Sequence, residues 1–76
     1  MSNHKSQNKI AETVIRKAGG VGRVAEITGA SESWVHRWTY KKEAGGTDGE
    51  VPQKATKALI AAGVVIPSDF FAPAAQ

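Results

Sequence analysis

Apolar residues recur at helical spacing in four stretches of this chain. Ile10, Val14 and Ala18 stand four apart, with Ala11 and Ile15 beside them, which predicts an amphipathic helix over about residues 8–18. Arg16 and Lys17 near its end suit the helix dipole, and Gly19-Gly20 stops it. Val21, Val24, Ala25 and Thr28 form the inner stripe of a second helix over 21–28, with Ile27 at its edge. A third helix is predicted over about 32–40, with Ser31 as its N-cap and with Val35 and Trp38, three apart, on its buried face.

Residues 41–50, KKEAGGTDGE, read as a loop with three glycines. Pro52 suits the first position of a fourth helix over about 52–62, where Ala55, Leu59 and Ala62 share a face and Gly63 ends the run. The closing VVIPSDFFAP is apolar but broken by Pro67 and Pro73. It predicts a short strand or extended arm over 64–66, then a turn at Ser68-Asp69. Residues 1–8 are polar and aperiodic. They are assigned as an N-terminal arm, 9–71 as the domain and 72–76 as a tail.

The pattern excludes several classes. The chain has 76 residues and no cysteine, so disulfides and thiolate metal sites are absent. No apolar run reaches the ~18 residues that a membrane span needs, and MSNHKSQNK lacks the apolar stretch of a signal peptide. A soluble cytoplasmic protein is expected. His4 and His36 are the only histidines and do not make a metal site. No acid/base pair, nucleophile elbow or phosphate loop is visible, so neither enzymatic activity nor a cofactor is expected.

The order Ala25, Gly29, Val35, Trp38 is the spacing of a helix-turn-helix. A small residue admits the crossing helix, glycine supplies the turn, and two apolar residues anchor the second helix. The rest of that helix is then free for a DNA major groove. Charge agrees with this. The net charge is +3, but residues 1–42 hold eight Lys/Arg against three Asp/Glu, and residues 43–76 hold two against four.

Candidate contacts follow from position. Ser31, Glu32, Ser33, His36 and Arg37 lie off the Val35/Trp38 face. Arg37 leads for a base contact, because its planar fork matches the edge of guanine; a phosphate contact is the alternative. Glu32 either accepts from a cytosine amino group or favours the helix start. Ser33 reaches a base or a phosphate, and His36 a guanine or a phosphate. Lys41 and Lys42 suit backbone phosphates, or are a solvated helix end. Gly22 and Arg23 open the second helix, where the N–H groups of Gly20, Val21 and Gly22 suit a phosphate. Lys5 and Lys9 are candidates for DNA contact, with a solvated tail preferred. Trp34 is read as packing against the 41–50 loop in preference to touching a thymine methyl or a partner subunit.

GGVGRVAEITG at 19–29, SWVHRW at 33–38, Val51-Pro52 and IPSDFF at 66–71 together resemble the lambda-repressor/Cro-like helix-turn-helix family, and within it the YdaS-like phage and prophage DNA-binding proteins. The loop EAGGTDGE is longer than in that group's usual frame, and Ser68 is inserted in the closing Pro-Asp-aromatic stretch. The resemblance implies an all-α domain of four main helices with a short extended C-terminal segment. It also implies a homodimer that binds a palindromic operator in double-stranded DNA and represses transcription, with the same five positions of the third helix doing the recognition. The rival expectation is an antitoxin-type or adaptor protein whose main partner is another protein, held through Val64-Val65-Ile66 and Phe70-Phe71; the same residues alternatively make a homodimer seam or cover the core of a small monomer.

Overall fold

Helix α1, Ile10–Ala18, forms where the 3.6-residue stripe is strongest, and it buries Ala11, Val14, Ile15 and Ala18. The computed structural model of the chain describes residues 7–70. Two contacts from outside the helix satisfy free donors of its first turn: the Asn8 side chain accepts from the Ile10 N–H at 2.9 Å, and the Gly49 carbonyl from the Ala11 N–H at 2.9 Å. Lys5, proposed for the arm, lies outside the described residues, as do Phe71 and the tail.

Gly19 ends α1 in the left-handed region at φ 107°, and the Gly20 N–H returns to the Ile15 carbonyl. Helix α2, Val21–Thr28, follows at once and buries Val24 and Ala25. Gly29, at φ 73°, turns the chain, and Ala25 O accepts from both Gly29 N–H and Ala30 N–H. Helix α3, Glu32–Arg37, starts with the Ser31 hydroxyl accepting from the Trp34 N–H at 3.1 Å. Helix α4 spans Gln53–Ala61 and buries Ala55 and Leu59. All four helices meet in one core, where Trp38, Leu59, Val14, Val24 and Val35 are the largest fully buried side chains. Among the described residues there is no strand.

Three expected boundaries are corrected. The third helix ends at Arg37, not at about residue 40. Beyond it the chain tightens into three-residue turns, Tyr40 N–H to Arg37 O among them, and the loop takes the carbonyls a longer helix would use. Thr47 donates its N–H to Arg37 O and shares its hydroxyl proton between Glu50 O and Trp38 O, and Asp48 N–H donates to Tyr40 O at 2.8 Å. Pro52 is the N-cap of α4 and not its first helical residue; its ψ of 146° is extended. The C-terminal segment is neither strand nor extended arm: Pro67–Phe70 forms a short 3₁₀ turn against α1. Its Asp69 side chain holds it there, accepting from Lys17 Nζ and from the Ile66 N–H, both at 2.8 Å.

The 41–50 loop is ordered by its glycines. A Cβ at Gly46 would overlap the carbonyl oxygens of Tyr40 and Arg37, and one at Gly49 would overlap the Asn8 backbone. These two close approaches clamp the loop between the end of α3 and the start of α1. Within it, Lys42–Ala44 makes a single 3₁₀ turn, and Asp48 Oδ1 accepts from the Lys42 N–H at 3.0 Å.

Candidate nucleic-acid interface

Helix α3 packs against α2 across the turn at Gly29. Ala25 is buried in the core, and no side chain fills the turn at Gly29. Val35 and Trp38, both fully buried, then fix which face of α3 looks outward. At about 100° per residue, Ser33, His36 and Arg37 fall on the opposite side, and all three are exposed. Six residues at about 1.5 Å rise make α3 about 9 Å long.

The two flanks of α3 differ. On one, Glu32 and His36 lie one turn apart and face the start of α2. Glu32 Oε2 comes within 3.5 Å of where a Cβ on Gly22 would sit. His36 shares a groove of about 280 Å³ with Glu12, Ile15 and Arg16 of α1, Val21 of α2 and Thr39. On the other flank Trp34 is half-buried, and its ring meets that of Trp38 edge-on. Trp34 thus has an aromatic partner in the core.

Among the described residues three ion pairs form: Lys9–Glu12 at 3.3 Å, Arg23–Glu26 at 2.7 Å and Lys17–Asp69 at 2.8 Å. Arg23, a candidate contact, is therefore already paired within α2. Arg16, Arg37, Lys41 and Lys42 belong to none of these pairs, and Arg16, Arg37 and Lys42 are exposed. Lys41 is half-buried where the chain leaves α3, and Ser31 is engaged in capping through its hydroxyl oxygen. Gly22 is exposed, so the start of α2 is open on that side except for the Glu32 carboxylate.

Sequence reasoning missed Arg16, which reads there as a cation placed for the helix dipole. Its i+4 spacing from Glu12 puts the two on one face of α1, but only the packing of α1 brings that face to His36. The Lys17 and Ile66 hydrogen bonds, in that order, hold the Asp69 carboxyl below its ordinary range.

Among the described residues no helix is long and apolar enough to cross a membrane, and no group of three or more His, Cys, Asp or Glu is placed to hold a metal. No family model matches the chain, and no curated protein or solved structure matches it either.

Proposed function

We propose that the chain binds double-stranded DNA in a sequence-reading manner and regulates transcription as a Cro-like repressor, with α2 and α3 acting as a helix-turn-helix. The observation that carries this reading is the outward face of α3. Ser33, His36 and Arg37 are exposed there, opposite Val35 and Trp38, in the basic half of the chain. In this reading α3 enters the major groove and Arg37 contacts a base edge. Ser33 and His36 contact bases or phosphates, and Lys41 and Lys42 contact the backbone. A homodimer places two such helices one helical turn apart on a palindromic operator.

Selection of a random duplex pool at physiological salt, followed by sequencing, tests the proposal. An enriched palindrome with half-sites about ten base pairs apart is the expected result. Weak, salt-sensitive binding without enrichment would reject sequence reading.

One observation favours a second reading, in which the chain is an antitoxin-type or adaptor protein. Ile66 is 55% exposed, and Val64 and Phe70 beside it in sequence are only partly covered. Salt separates the two readings. Affinity that rests on phosphate contacts falls steeply with ionic strength, and affinity that rests on an apolar patch does not.

A further inference from the structure

We propose that the groove between α1 and α3 seats a backbone phosphate of the bound duplex, with Arg16 and His36 as its two donors; this rests on the DNA-binding reading and adds a contact from outside α2 and α3. The groove has an apolar floor, Ile15 and Val21, and a polar rim, Arg16, His36 and Glu12. Its volume of about 280 Å³ is several times the ~30 Å³ that one water occupies in the liquid. The Thr39 hydroxyl, also in the lining, is committed to the His36 carbonyl at 2.9 Å.

The donor set then suits an anion. The rim's one carboxylate, Glu12, already faces Lys9 at 3.3 Å, whereas Arg16 is in none of the ion pairs among the described residues. Arg16 is the one Lys or Arg in the groove's lining, and a guanidinium offers two parallel N–H donors to two oxygens of one phosphate. His36 projects from the exposed side of α3 into the same space. A phosphate seated there bridges α1 to α3 and fixes how α3 sits in the groove, while carrying no sequence information of its own.

The test uses the full chain and two duplexes, the selected operator and a random sequence, each titrated over a range of salt. Arg16→Gln is expected to weaken binding several-fold on both duplexes alike and to shallow the salt slope by about one unit. Arg16→Lys restores the slope but not the full affinity. Lys57→Gln, an exposed cation on α4, serves as the control and binds as wild type does. Melting curves of each variant confirm that the fold is intact. Wild-type affinity and slope in Arg16→Gln, with Arg37→Ala still impaired, would overturn the phosphate seat and leave the DNA reading standing. If the wild-type chain binds no duplex, that reading fails, and inorganic phosphate followed by NMR decides the groove separately. Saturating shifts at the His36 ring and the Thr39 amide, lost in Arg16→Gln, support the seat; unchanged spectra overturn it.

Discussion

The Trp34 ring stands edge-on to that of Trp38, with centroids 5.1 Å apart and planes at 81°. One indole is fully buried and the other half-exposed, so the pair joins the core to one flank of α3. The two should differ in what they do for stability. Trp38→Ala empties the centre of the core and is expected to cost about 3–5 kcal/mol, enough to unfold most of a chain this small. Trp34→Ala loses the edge contact, about 0.5–1.5 kcal/mol, plus part of its covered area. Trp38 also leaves its Nε1–H buried without an acceptor among the described residues. Trp38→Phe removes that donor, whose unmet hydrogen bond costs about 1–3 kcal/mol, and keeps an aromatic ring. Urea unfolding should therefore rank Trp38→Phe well above Trp38→Ala. Equal losses would mean that neither the retained ring nor the removal of the orphaned N–H offsets the space left in the core.

The loop glycines make a second ranking. Gly46 has no left-handed φ, so its requirement is steric: a Cβ there meets the Tyr40 and Arg37 carbonyls. Gly45 is the converse, left-handed at φ 85° with nothing within 4 Å of a Cβ. Gly45→Ala is expected to cost about 1 kcal/mol from backbone conformation alone. Gly46→Ala should cost more, because backbone must move, and it should release Thr47 and Asp48 from the end of α3. Hydrogen exchange at the Thr47 and Asp48 amides reads that release directly. Slow exchange preserved in Gly46→Ala would show that the loop is held by other contacts.

Much of this fold is legible in sequence because its signals are local. The Gly19-Gly20 stop, the Ser31 cap and the Gly29 turn each act within a few residues, and α1 and α2 end where those signals put them. The end of α3 is different. Nothing within 32–40 stops a helix there; the carbonyls of Arg37 and Trp38 are taken by Thr47, nine or ten residues on, and that approach depends on Gly46 having no side chain. The candidate site divides the same way. The outward position of Ser33, His36 and Arg37 follows from their spacing against Val35 and Trp38. The pairing of Arg23 with Glu26 was readable as an i,i+3 contact, but the approach of Arg16 to His36 is tertiary.

Asp69 ties the C-terminal turn to α1 and makes that tie depend on pH. A carboxylate whose folded pKa lies below its unfolded value contributes stability above the unfolded value, and the contribution is lost as pH falls through the folded one. Asp69 is lowered from an ordinary value of 3.8, so its contribution is complete at about pH 7 and disappears in acid below that value. Asp69→Asn should lower the melting temperature at about pH 7, and the difference from wild type should shrink as the pH falls through the folded pKa. Lys17 is 45% exposed, so added salt should shrink the effect at neutral pH as well. A melting difference that persists undiminished in acid would place the role of Asp69 in its shape and not in its charge.

Arg37 and Lys42 separate the reading of sequence from the binding of backbone. Both are exposed and outside the ion pairs of the described residues, but they sit on different supports: Arg37 ends α3 on its outward face, and Lys42 opens the 3₁₀ turn of the clamped loop. In the proposed mode Arg37→Ala removes a bidentate base contact. It should cost about 1–3 kcal/mol on the selected operator and relax preference at one base pair, with little change on random duplex. Lys42→Ala, and Lys41→Ala beside it, should weaken binding on every sequence and shallow the salt slope by about one unit each. Fluorescence anisotropy on operator and random duplexes over a salt series measures both quantities at once. Equal losses from Arg37→Ala on the two duplexes would make Arg37 a phosphate contact and move base reading to Ser33, and an unchanged slope in Lys42→Ala would place the loop away from the DNA.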